Sequence, residues 1–124
     1  MASLHIDPEA KHVGVDLHGF SVATAMDVAE QLIRQAWENG FTSITLVHGA
    51  GTSLHHMSAM YTGYGGIKWS LRSRLYQGDW MEYAYNRRSR QHDINDTAMT
   101  LRLRPNPNPQ APPQWLQLSE PEYD

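Results

Sequence analysis

Two strand-like runs, residues 12–18 and 41–47, flank a segment whose apolar residues recur every three or four positions, and this arrangement leaves few folds open. In the first run Val13, Val15 and Leu17 alternate with Gly14, Asp16 and His18, the period of a strand buried on one face. The second run is rich in β-branched and aromatic side chains, which fit a pleated surface. Between them Val22, Ala25, Met26, Ala29, Leu32, Ile33, Ala36 and Trp37 mark one continuous face of a helix over residues 22–39. Ser21 can accept a hydrogen bond from a first-turn N–H, and Gly40 can take the left-handed conformation that ends a helix. A helix between two strands returns the chain across the sheet, so the runs are parallel and joined by a right-handed crossover.

The rest of the chain adds to this unit. Residues 67–76 read as a second helix, with Ile67, Leu71, Leu75 and one of Trp69 or Tyr76 inward, closing at Gly78. Residues 52–66, with His55, His56 and three glycines, read as a loop or broken helix. Residues 80–85 and 98–104 alternate as two further strands around a polar hairpin loop at 87–96. The expected class is α/β in the two-layer α+β sense: order βαβαββ, a four-stranded mixed sheet with two helices on one face. At 124 residues there is room for one domain, assigned to 12–104, with an N-terminal extension at 1–11. The proline-rich residues 105–124 are expected to be an extended, poorly ordered tail whose Trp115-Leu116-Gln117-Leu118 can dock on the domain or on a protein partner.

If residues 80–85 run parallel to the first two strands, the turns after Asp16 and His48 and the 87–96 loop all leave the sheet at its carboxyl edge. Ligands of open α/β sheets collect there. Arg102 and Arg104, late in an antiparallel last strand, fall toward the opposite edge.

Composition narrows the function classes. No cysteine is present, so disulfides and thiolate metal sites are excluded. No apolar run approaches the ~20 residues of a membrane span, and residues 1–11 carry His5, Asp7, Glu9 and Lys11 in place of an apolar leader, so a cytoplasmic setting is expected. The net charge of −3 is unevenly spread. Lys68, Arg72, Arg74, Arg87, Arg88, Arg90, Arg102 and Arg104 face only Asp79, Glu82, Asp93 and Asp96 within residues 68–104, while the segments on either side are acidic. A local basic surface on an acidic protein is the electrostatic footprint of phosphate binding.

Asp16 and His18, two apart in a strand, point the same way and off the apolar face. A carboxylate that close can fix a histidine's orientation and favour proton donation or binding of an anion. His48 opens the turn His48-Gly49-Ala50-Gly51, where glycines let backbone N–H groups approach a phosphate. His55 and His56 are adjacent and diverge, so a metal site would need Asp16 or His48 as well.

Together, Val15-Asp16-Leu17-His18 and His48-Gly49-Ala50-Gly51 resemble the two marks of the Smr (small MutS-related) domain, an LDxH-type motif ending one strand and an HGxG motif ending the next. The resemblance spans about residues 13–104 and implies a fold like the C-terminal domain of bacterial initiation factor three. It also implies binding of DNA or RNA with nicking or endonuclease activity. By this resemblance Asp16 and His18 are the important pair and His48, Gly49 and Gly51 belong to the loop that contacts the backbone; the leading hypothesis makes Asp16, His18 and His48 catalytic and Arg87, Arg88 and Arg90 phosphate contacts. Cleavage can proceed without metal through a ribose 2′-hydroxyl, or by hydrolysis with a divalent ion such as Mg held by Asp16. The chain departs from many members at Ala50, where they carry Lys or Arg, in the extra residues between HGxG and the second helix, and at residues 92–96 in place of a glycine-rich turn. The alternatives are a module that binds nucleic acid without cutting it and a protein-interaction domain working through the proline-rich tail.

Overall fold

The parallel pair expected around the long helix forms the centre of the sheet. A computed structural model describes residues 3–49, 66–85 and 92–110. In chain order these form β1 (Ser3–Asp7), β2 (His12–Asp16), α1 (Val22–Glu38), β3 (Ser43–Val47), α2 (Gly66–Gln77), β4 (Asp93–Ile94) and β5 (Ala98–Arg102). The sheet order is β1-β2-β3-β5-β4, with β2 and β3 parallel and every other pairing antiparallel. The two-layer α+β class holds, with five strands in place of four.

The core follows from alternation. Val13 and Val15 of β2, Ile44 and Leu46 of β3, and Met99 and Leu101 of β5 are buried on one face. Against them α1 sets Ala25, Met26, Val28, Ala29, Leu32, Ile33 and Ala36, and α2 adds Leu71 and Leu75. Ser21 caps α1, its side chain accepting from Thr24 N. Trp69 and Tyr76, one of which was expected inward, are both exposed. α2 needs only Leu71 and Leu75, a turn apart, together with half-buried Ile67 to hold its inner face.

The other sheet face is polar. His12 Nδ1 lies 2.6 Å from Ser43 Oγ and its Nε2 lies 3.2 Å from Thr45 Oγ1, which in turn meets Thr100 Oγ1 at 2.7 Å. These residues occupy neighbouring positions of β2, β3 and β5, so the strand register itself lines them up.

The added strand is β1, within the residues read as an extension. It pairs with β2 from Ser3↔Asp16 to Asp7↔His12, and Leu4 and Ile6 pack against the core. Residues 80–85, expected as a parallel strand, instead form turns, in which Tyr83 N and Ala84 N donate to Trp80 O. Trp80 and Ala84 are the buried members, a helix-like spacing of four that overrides the apparent alternation. Only Ala84 bridges the sheet, antiparallel to Leu103.

That correction relocates the basic loop. Tyr85 N donates to Arg102 O, and Arg102 N donates to His92 Nδ1, so the residues flanking 86–91 are held at the Arg102 end of β5. Arg102 pairs with Ser43, at the start of β3, whereas Asp16 pairs with Val47 at its end. The loop's anchors Tyr85 and His92 therefore sit at the edge opposite the Asp16 and His48 turns, while its last residues, Asn95 and Asp96, reach the expected edge beside His48. Arg102 does lie at the far end, as its place in an antiparallel strand requires.

Residues 105–110, expected to be part of a poorly ordered tail, lie against the end of α1. Asn106 Nδ2 donates to Trp37 O at 2.9 Å, Gln110 N donates to Glu38 O at 3.0 Å, and Pro109 packs beside Gly40. The last carbonyls of a helix have no partner within it, and Asn106 and Gln110 supply donors for two of them. Residues 111–124, with Trp115 and Leu116, lie outside the described residues. Asn106→Ala is expected to lower unfolding free energy by about 0.5–1.5 kcal/mol in urea titration, the net worth of a protein hydrogen bond; an unchanged midpoint would mean that this cap adds nothing.

Candidate functional site

The site begins where β2 stops. Leu17 N donates to Val47 O at 2.7 Å, carrying the parallel ladder one residue further, and the Leu17 side chain is fully buried. With Leu17 pinned inward, Asp16 and His18 on either side project outward. Asp16 Oδ1 accepts from His18 N at 3.0 Å and lies 3.1 Å from His18 Nδ1. An ionised carboxylate can only accept, so Nδ1 carries the proton and Nε2 presents its lone pair away from the pair. The side chains are 70% and 41% exposed for His18 and Asp16, so the dyad is open to an incoming molecule.

The second turn sits beside it. Gly49 has φ 81°, a left-handed conformation that costs other residues about 1–2 kcal/mol. A Cβ there would lie 3.6 Å from His18 Cβ, so the two motifs adjoin. Both His48 N and Gly49 N donate to Thr97 O at 3.0 Å. The Gly49 amide, expected to meet a phosphate, donates to Thr97 O in this structure. Thr97 is set by the β4–β5 turn, where Asn95 Oδ1 accepts from Thr97 N and Ala98 N.

His48 differs from His18 in burial and in the partner of its Nδ1. It is 6% exposed, and its Nδ1 lies 2.7 Å from Gly49 O, a carbonyl that can only accept. The proton therefore resides on Nδ1, and Nε2 is buried without a partner among the described residues. Burial pushes the His48 pKa below the ordinary 6.5; the Gly49 carbonyl and Asp96 oppose this, while the positive charges of Arg72 and Lys68 add to it. His12 is lowered too, again chiefly by burial.

A histidine whose folded pKa is depressed contributes stability that is present above the unfolded value of 6.5 and lost as pH falls toward the folded one. The protein is therefore expected to lose stability on acidification from pH 7.5 to 5.5, and His48→Gln to shrink that slope. Urea midpoints across the range check this, and a slope undiminished in the variant would remove His48 from the account.

Lys68 and Arg72 were not singled out from the sequence, yet they are the described bases at this edge. Four apart on α2, they share a helix face. Lys68 Nζ pairs with the Asp96 carboxylate, which that hydrogen bond holds below its usual pKa range, and Arg72 donates to Asn95 O at 2.9 Å. The signal was their spacing within the basic segment; what was missing was the orientation of α2. Gly51, Arg87, Arg88 and Arg90 lie outside the described residues, as do His55 and His56. Among the described residues no three His, Asp or Glu side chains converge as a metal ion requires. Asp16, one named candidate ligand, spends an oxygen on His18, and His48 Nε2 is buried.

No helix among the described residues is long and apolar enough to cross a membrane. Comparison with curated proteins and with solved structures finds no match. The model of the Smr domain, by contrast, matches residues 15–95, from within β2 through β4 and across both motifs. With about two thirds of its length matched, the chain belongs to the Smr domain family, a family of nucleic-acid-binding and nicking domains.

Proposed function

We propose that this domain nicks a DNA or RNA phosphodiester backbone, with Asp16 and His18 as the reacting pair. The observation that carries the reading is the exposed imidazole held by a carboxylate through Nδ1, which leaves Nε2 free beside the Gly49 turn. His18 Nε2 takes the proton from the attacking oxygen, a ribose 2′-hydroxyl or a water, as that oxygen bonds to phosphorus and the bond to the leaving oxygen breaks, the leaving oxygen taking up a proton from water. Asp16 holds the imidazole in the tautomer this needs and stabilises it once protonated. Lys68 and Arg72 supply positive charge for the phosphate. His48 is a positioning residue in this scheme, since its buried ring stiffens the turn that lies against His18. Gly51 remains a candidate backbone contact, and Arg87, Arg88 and Arg90 remain candidate phosphate contacts.

A non-cleaving binding module is the second reading, favoured by Ala50 and by the engagement of the Gly49 amide with Thr97 O. Incubating the protein with end-labelled RNA, single-stranded DNA and supercoiled plasmid, with and without EDTA, separates the two. Products or nicked circles are expected. Retention of substrate without products would instead establish the binding module, and the EDTA arm reports whether a divalent ion takes part.

A further inference from the structure

The strongest unassigned feature is an indole on the outer face of α2. Trp69 is 43% exposed, a large share for a tryptophan, and neither the core nor the proposed reaction uses it. It stands between the two bases beside His48: Lys68 Nζ lies 5.4 Å from its ring centroid and the Arg72 guanidinium carbon 5.2 Å. Both cations are tethered at their far ends, Lys68 by Asp96 and Arg72 by the Asn95 carbonyl. Arg72 also keeps a buried Nε–H that finds no acceptor among the described residues.

An exposed indole with two tethered cations over its ring matches one ligand chemistry closely. Nucleobases stack on aromatic side chains whatever their sequence, and the phosphates on either side of the base need positive charge. A paired base offers no such face, because its two faces are covered by its neighbours in the duplex. We propose that Trp69 is the stacking platform for an unpaired nucleobase, with Lys68 and Arg72 holding the phosphates that flank it, so that this domain selects strands with unpaired bases near the Asp16–His18 pair. The inference rests on the nucleic-acid reading above and adds to it the substrate class and the residue that selects it.

The test is fluorescence anisotropy of labelled 12-nucleotide single strands, one RNA and one DNA, and of a blunt 12-base-pair duplex, with the full chain. Wild-type protein is expected to prefer the single strands. Trp69→Ala is expected to weaken single-strand binding roughly 5- to 150-fold while changing duplex binding less than about 2-fold. Trp69→Phe, which keeps an aromatic face, is expected to recover most of that loss, whereas Trp69→Leu, apolar but without one, is not. Removing Lys68 or Arg72 is expected to reduce the salt dependence of binding by about one phosphate contact each. Because Trp69 is exposed, thermal melts of the variants should match wild type, so a loss of binding is not a loss of fold.

Equal weakening on duplex and single strands, unchanged single-strand binding in Trp69→Ala, or full recovery by Leu would overturn the platform while leaving the nucleic-acid reading intact. Failure of the wild-type protein to bind any of the three probes at low salt would overturn both. The RNA and DNA arms decide which backbone the platform serves.

Discussion

His18→Ala is expected to slow nicking by about 10²–10⁴-fold, the usual worth of a general base, while shifting unfolding free energy by less than about 1 kcal/mol. The second half follows from exposure, since a hydrogen-bonded pair that remains 70% and 41% accessible competes with water and adds little to stability. Asp16→Asn should be milder, because the amide oxygen can still accept from His18 Nδ1 and what disappears is the charge that stabilises the protonated ring. Asp16 acts through His18, so the double variant should be no slower than His18→Ala alone, a non-additivity expected of residues that work as a unit. Initial rates of plasmid or RNA cleavage, set beside urea titrations of each variant, measure both quantities. Unaltered rates in His18→Ala would remove the dyad from the mechanism, and rates that merely track stability would reduce it to a structural pair.

The contrast between the two histidines shows how much of the site was legible in the sequence. Asp16 and His18 could be placed because a strand has a strict period of two: with Val13, Val15 and Leu17 inward, the residues between them face out. His48 lies one residue beyond β3, in a turn whose conformation is fixed by Thr97 from the far end of the sequence. No local pattern announces that Thr97 O accepts both the His48 and Gly49 amides, so the burial of His48 and the engagement of Gly49 could be learned only from the tertiary arrangement.

The errors in the fold have the same origin. Leu4 and Ile6 alternate as β1 requires, but four ionisable residues within 1–11 obscured a strand whose outer edge and open face tolerate charge. Residues 80–85 alternate as well, yet Trp80 and Ala84 reach the core four apart, and the volume of an indole outweighs a weak period. That substitution of a turn for a strand moved the anchors of the basic loop to the other edge and left Lys68 and Arg72 as the described bases near His48. Those two were legible as a pair on one helix face, and Leu71 and Leu75 are inward as expected; that this face meets Asn95 and Asp96 beside His48 came only from the tertiary arrangement.

Leu17→Ala should behave as the opposite of its two neighbours, with an expected loss of about 2–5 kcal/mol of stability, the range for truncating a fully buried leucine. Set against the roughly 5–15 kcal/mol that holds a small domain together, this is the largest single-residue effect anticipated here. The cost combines the lost transfer of the isobutyl group from water with the void left beside the strand end. It falls where the parallel ladder makes its last bond, Leu17 N to Val47 O, so the backbone that aims Asp16 and His18 is less firmly held. Urea titration should show the midpoint falling while the slope stays constant. Under conditions where the variant remains folded, its nicking rate should exceed that of His18→Ala, because the reacting groups are all present. A Leu17→Ala protein as stable as wild type, or as inactive as His18→Ala while fully folded, would contradict the division proposed here, in which the middle residue of the motif builds the strand end and the residues on either side perform the chemistry.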